Sequence, residues 1–161
     1  MLFKRLNENL VVIKSRLFPT AFKGSFKRYA VTLGVGGNVG DVPRRLEKLI
    51  VTLQRENLCS VIQTGPILKN PPFGYMDQAD FYNSVILVKT DLKPLAFLKY
   101  ILAVERRFGR KRSFANAPRT LDIDIIFYEN RKMKTKNLTL PHPHWQERES
   151  VVIPLSYMEY R

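Results

Sequence analysis

Residues 29–56 read YAVTLGVGGNVGDVPRRLEKLIVTLQRE, and the change of rhythm inside this stretch decides the architecture. From Tyr29 to Val35 apolar and small residues alternate, which is the pattern of a strand with one covered face. The strand runs into Gly34, Gly36, Gly37, Asn38, Gly40 and Asp41, a glycine-rich turn. A helix then opens at Asp41 or Val42 and runs to about Glu56. Asp41 can cap it, and Pro43 falls in the first turn, where a missing N–H costs nothing.

Working outward, Leu58–Thr64 predicts a second strand, and Gly65–Asp80, with Pro66, Pro71, Pro72 and Gly74, a long loop of the kind that carries function. Phe81–Thr90 predicts a third strand. Lys93–Phe108 predicts a second amphipathic helix, with Leu95, Leu98, Leu102 and Val104 on or near one face and Gly109 ending it. After a basic loop from Arg110 to Pro118, Leu121–Tyr128 is the clearest strand of the chain. The last third predicts short strands and a helix beginning near Pro143. The order βαββαβ predicts an α+β, ferredoxin-like fold, an antiparallel sheet with helices packed on one face. Residues 29–161 form a single domain on this reading, preceded by a basic extension, residues 1–28.

The 161 residues, 45% apolar and 11% aromatic, supply enough side chains for one core. Twenty-seven Lys and Arg against fourteen Asp and Glu give a formal charge of +13, which favours a polyanionic partner. No apolar run approaches the ~20 residues of a spanning helix, so no membrane partner is expected. A lone Cys59 makes no internal disulfide, consistent with a reducing, cytoplasmic setting. A monomer is expected. The extension carries Lys4, Arg5, Lys14, Arg16, Lys23, Lys27 and Arg28 against Glu8 alone. Its apolar run Leu10–Ile13 is too short for a secretory signal, so the extension is read as packed against, or trailing from, the domain.

In Leu121-Asp122-Ile123-Asp124-Ile125-Ile126 the side chains of 122 and 124 project together, their Cα atoms about 7 Å apart. Like charges so placed repel, and nothing in sheet stability requires them. Hard oxygen ligands beside phosphates are what Mg²⁺ uses. Arg110, Lys111 and Arg112 precede the pair, and Arg119 stands three residues ahead of Asp122. Guanidinium groups match phosphate oxygens two at a time and offset the charge of phosphoryl transfer. The plainer alternative is a set of structural ion pairs.

With these residues in view, the chain resembles the 6-hydroxymethyl-7,8-dihydropterin pyrophosphokinases of folate biosynthesis over about residues 29–157. The most specific motif is Pro118-Arg119-Thr120-Leu121-Asp122-Ile123-Asp124-Ile125. Gly36–Asp41, Asn70–Gly74, Asp77–Asn83, Glu105–Arg110 and Leu138–Pro143 support it in chain order. The resemblance implies transfer of pyrophosphate from ATP to the pterin, with Asp122 and Asp124 holding two Mg²⁺ ions. It implies that Arg110 and Arg119 stabilise the transferring group, with Glu105, Arg112, Ile125, Thr139, His142 and Arg148 around ATP. Pterin contacts would come from Asn70, Pro71, Phe73, Phe81, Asn83 and Asp122, an Asn suiting the donor and acceptor edge of the ring. Gly37 stands where the family commonly has Ser, and Asn116 about where many members carry Trp.

Two other readings fit parts of the sequence. A nucleic-acid module would use the +13 charge and shares the βαββαβ order, but no RNP-like run is present, and Asp122 with Asp124 would repel a polyanion. No nucleic-acid partner is therefore expected. A pterin-binding protein without catalysis would not need the Asp pair together with Arg110 and Arg119. His142 and His144 flank Pro143, but no Cys or third His lies near in sequence to complete a zinc set.

Overall fold

The computed structural model describes residues 2–111 and 114–159. The extension forms three strands: β1 (Leu2–Arg5), β2 (Val11–Lys14) and β3 (Thr20–Ala21). Then come β4 (Tyr29–Gly37), α1 (Val42–Glu56), β5 (Cys59–Thr64), β6 (Ile67–Asn70), β7 (Phe81–Thr90), α2 (Pro94–Arg107) and β8 (Asp122–Tyr128). A small hairpin of β9 (Met133–Lys134) and β10 (Thr139–Leu140) and a helix α3 (Glu149–Ser156) complete the chain. The molecule is α+β, and the pairings among the described residues are antiparallel. An eight-stranded sheet runs β1-β2-β6-β7-β4-β8, with β5 also beside β7 and β3 beside β5.

Local chemistry accounts for the elements that position the site. The Asp41 carboxylate accepts from the Arg44 N–H and caps α1, while Asn57, at φ 57°, ends it in the left-handed conformation. Val42, Leu46, Leu49, Ile50 and Leu53 form the buried stripe of α1, and Phe97, Ile101 and Val104 that of α2. Both stripes close over Val31, Leu33 and Val35 of β4, Ile86 and Val88 of β7, and Ile123 and Ile125 of β8.

The expected packing of helices on one face holds for α1 and α2 alone. Val85 and Ile126 point to the other face, where Val151 of α3 and Met158 cover them. The tail of the chain was too short and too rich in loop residues to reveal which face its helix would take. The long loop predicted from Gly65 to Asp80 is also interrupted. Ile67–Asn70 pairs with β7 on one side and with β2 on the other, and Ile67 and Leu68 are fully buried. This strand is held by partners from the extension and from ten residues downstream, so a local reading of a Pro-rich stretch misses it.

Across the α1/α2 face, Glu56 ties the two helix ends together. It accepts from Tyr100 Oη at 2.6 Å and from both Nη atoms of Arg107, the Nη2 contact being 2.8 Å. The Arg107 guanidinium, and after it the Tyr100 hydroxyl, hold the Glu56 carboxyl down at about 2.

Candidate active site

The site grows from the face that α3 covers only in part. Asp122 and Asp124 of β8 lie opposite Gly36 and Gly34 of β4, and Gly36 in turn lies opposite Asn83 of β7. A strip without side chains therefore runs between the carboxylates and Asn83. Gly36 has no substitute there: a Cβ would stand 2.0 Å from Asn83 Oδ1 and 2.7 Å from the Tyr82 carbonyl. At Gly37 a Cβ would meet the Thr120 carbonyl at 2.5 Å, so the glycine-rich turn lets the Pro-Arg segment approach β4.

The two carboxylates have different surroundings. Asp122 accepts from Arg110 Nη1 at 3.1 Å and from Arg119 Nη1 at 3.3 Å. Arg110 also donates to the Leu121 carbonyl, and Arg119 Nε to the Ala117 carbonyl, so both guanidiniums are fixed. Arg119 further lies over the Phe81 ring, 5.0 Å from its centroid. Half-buried Asp124, by contrast, has no hydrogen-bond or ion-pair partner among the described residues. Burial, and then the Asp122 carboxylate, push its carboxyl up to about 7, against the pull of Arg148 and Arg119. A carboxyl so placed is a candidate cation ligand.

No three His, Cys, Asp or Glu side chains converge on one point among the described residues. Two carboxylates suffice for Mg²⁺, which keeps several waters and takes its other ligands from substrate phosphates.

Three cavities adjoin around this pair, the central one lined by both carboxylates. The central one, about 500 Å³, is lined by Arg110, Arg119, Asp122, Asp124, His142 and Arg148. On one side it shares Asn116, Arg119 and Arg148 with a cavity of about 400 Å³ that holds Asn70, Pro71, Phe73, Phe81 and Asn83. On the other it shares Asp124 and His142 with a cavity of about 760 Å³ that holds Leu98, Leu102, Ile125 and Thr139. Within the second cavity Asn83 Nδ2 donates to Asn70 Oδ1 at 2.7 Å, which leaves the Asn83 carbonyl oxygen for a ligand. At the junction with the third, His142 Nδ1 is buried without a partner among the described residues. Burial, followed by Arg148 and His144, lowers its pKa below the ordinary histidine value and favours the neutral ring.

Of the residues singled out by sequence, all but two line these cavities. Glu105 lines none of them; it is buried at the end of α2, and its Oε2 accepts from the Ile123 N–H at 2.6 Å, which anchors β8 beside the Asp pair. Arg112 lies outside the described residues. Leu95, Leu98 and Leu102, of the apolar face read from the sequence, line the third cavity, with Leu95 52% exposed and Leu98 also packed against the core. A second apolar stripe beside Phe97, Ile101 and Val104 is the signal that a helix has two faces to serve.

Asn38 was quoted only as part of the turn. Its Oδ1 accepts from the Arg119 N–H, and its Nδ2 donates to Gln78 Oε1 and to the Ala79 carbonyl. Gln78 Nε2 in turn donates to the Asn116 carbonyl at 2.9 Å. His144 pairs with Glu147 at 3.2 Å. Trp145 packs edge-on against Phe127, 4.8 Å between centroids, on the α3 side.

An acidic pair among fixed arginines, in a central cavity that joins two others along β8 of an α+β sheet, defines a phosphate-handling transferase. Residues 32–160 match the family model described as 7,8-dihydro-6-hydroxymethylpterin-pyrophosphokinase. The 2-amino-4-hydroxy-6-hydroxymethyldihydropteridine pyrophosphokinase of Helicobacter pylori is 40% identical over 151 residues, 92% of this chain and 93% of that protein. The Campylobacter jejuni protein of the same name is 38% identical, covering 88% and 91%. That of Bacillus subtilis is 33% identical, covering 77% and 74%. The chain belongs to the 7,8-dihydro-6-hydroxymethylpterin-pyrophosphokinase family.

Proposed function

We infer that the protein transfers pyrophosphate from ATP to 6-hydroxymethyl-7,8-dihydropterin, releasing AMP, in folate synthesis. The observation that carries the reading is a central cavity lined by Asp122 and Asp124 that joins one flanking cavity at Arg119 and Arg148 and another at Asp124 and His142, which suits two organic substrates joined through a polyphosphate. The pterin occupies the cavity of Phe81 and Asn83, where an amide oxygen and an aromatic face recognise a flat heterocycle with donor edges. The adenine end lies in the cavity of Leu98, Leu102, Ile125 and Thr139, and the phosphates lie between.

The pterin hydroxymethyl oxygen attacks the β-phosphorus. The bond from that phosphorus to the oxygen bridging the α-phosphate breaks, AMP leaves, and the hydroxyl proton passes to solvent. Mg²⁺, two ions held by Asp122 and Asp124, supplies charge neutralisation when bound. Arg110 and Arg119, already fixed by backbone carbonyls, are aimed at the charge that develops on the transferring group without further reorganisation. Neutral His142 and cationic Arg148 hold the phosphate chain at the junction of the cavities. Positioning of the two substrates supplies much of the acceleration, so no covalent enzyme intermediate is required.

We read the β4-α1-β5-β7-α2-β8 portion, with spatial order β5-β7-β4-β8, as a ferredoxin-like core over residues 29–161, to which residues 1–28 add strands. We read the protein as a cytoplasmic monomer; no described helix is long and apolar enough to cross a membrane. The test is AMP release from ATP with and without pterin and Mg²⁺, in the wild type and in Asp122→Ala and Asp124→Ala. Pterin-dependent AMP that chelation and both substitutions abolish supports the reading. A folded wild type that makes no AMP overturns it.

A further inference from the structure

The family model begins at residue 32, yet the match to the Helicobacter pylori protein covers 92% of the chain and so reaches into the first 28 residues. Those residues bring one side chain to the site. Leu10 lines the cavity of Asn70, Phe81 and Asn83, although β1 beside it is exposed throughout. We propose that Leu10 is a wall of the pterin subsite, so that the amino-terminal hairpin sets affinity for the heterocycle.

The position of Leu10 is built rather than incidental. The register of β2 with β6 pairs Val11 with Lys69 and Val12 with Leu68, and its continuation puts Leu10 beside Asn70. Leu10 therefore shares the cavity wall with the hydrogen-bonded Asn70–Asn83 pair. The turn that delivers it is locked at both ends. Asn7 Oδ1 accepts from the Asn9 and Leu10 N–H groups at 2.8 and 2.9 Å, and the Leu10 carbonyl accepts from the Leu6 N–H. Arg5 Nη1 donates to the Glu8 carbonyl across the same turn. From behind, Val12, Leu68 and Ile153 of α3 pack on Leu10.

The cavity has few fixed apolar surfaces. Leu10 is 6% exposed and Phe81 8%, whereas Phe73 stands 78% exposed. Leu10 and Phe81 are thus the two large apolar side chains held in place before a ligand arrives. A planar ring needs such a surface on its flank, because burying its faces is the main non-directional source of affinity in a polar site.

The inference rests on the pterin assignment above, and the experiment separates the two. KM for pterin, KM for ATP and kcat are measured on full-length Leu10→Ala and Leu10→Met, with Asn83→Ala as the marker of the subsite and a thermal melt for each. Leu10→Ala is expected to raise the pterin KM about five-fold, ~1 kcal/mol at 1.4 kcal/mol per tenfold, with kcat and the ATP KM within about two-fold of wild type. Leu10→Met, which refills the wall, restores the pterin KM. If Leu10→Ala does not fold, Leu10→Val is expected to give a rise of about two-fold. A rise with Asn83→Ala but none with the Leu10 variants overturns the role of Leu10 and leaves the subsite standing. Equal rises in both KM values together with a lowered melting temperature reduce Leu10 to a structural support and also overturn the proposal. If neither Asn83→Ala nor Leu10→Ala moves the pterin KM, the subsite assignment falls and the proposal with it.

Discussion

The two faces of the sheet are made from the same strands and have opposite properties. Beneath α1 and α2, Val31, Leu33, Val35, Ile86, Val88, Ile123 and Ile125 form a closed apolar layer. On the other face α3 covers Val85 and Ile126 but leaves bare the stretch holding Asp122, Asp124, Asn83 and Gly36. Adjacent residues of β8 thus face the core and the central cavity in turn. The closed face supplies the rigidity that lets the open one hold an unpaired carboxylate.

The strongest way to break this contrast is to treat Asp124 as a structural residue. Asp124→Asn is expected to lower kcat by about 10³-fold or more, ~4 kcal/mol in transition-state stabilisation. Because it removes a charge that burial and Asp122 disfavour, it should leave the metal-free melting temperature unchanged or raised. A fall of several degrees, seen by calorimetry, would show that the open face also carries the fold.

The converse holds for Leu46, fully buried in α1 and lining none of the three cavities. Leu46→Ala should cost about 2–5 kcal/mol in denaturant unfolding while kcat of the folded fraction stays within two-fold. Gly36→Ala probes the seam between the faces. Crowding Asn83 and the Tyr82 carbonyl is expected to cost about 1–3 kcal/mol and to raise the pterin KM as Asn83 turns away.

The smallest effect belongs to the clasp between α1 and α2. Glu56 titrates near 2 in the folded protein and at 4.5 ordinarily, so its contribution is complete above about 4.5 and lost as the pH falls through about 2. Arg107 is half exposed, and water and salt screen the pair, so Arg107→Ala should cost about 0.5–1 kcal/mol at pH 7. The difference from wild type in urea midpoint should vanish near pH 2, and its persistence there would assign it to packing by the Arg107 stem.

The elements that carry their own periodicity were legible in the sequence. β4, α1, β7, α2 and β8 fall within a residue or two of the patterns read from alternation, capping and apolar stripes. So was the grouping of the acidic pair with Arg110 and Arg119, because residues two apart on a strand share a face and the basic segment leads directly into it. What escaped depends on distant partners. β6 exists because β2, more than fifty residues earlier, pairs with it. Leu10 looks in sequence like any leucine of a short apolar run, and Leu98 and Leu102 like core. No local pattern says which of two apolar stripes on α2 meets the sheet and which meets a cavity.

The amide of Asn38 touches the backbone of the Pro-Arg segment, the Ala79 carbonyl and, through Gln78, the Asn116 carbonyl. Three loops distant in sequence therefore share a single knot. Loosening any one strand of such a knot slackens the others, so the loop beside Phe81 and the guanidinium of Arg119 keep their spacing together or lose it together. One uncharged side chain in a turn makes the spacing of two cavities a common mechanical problem.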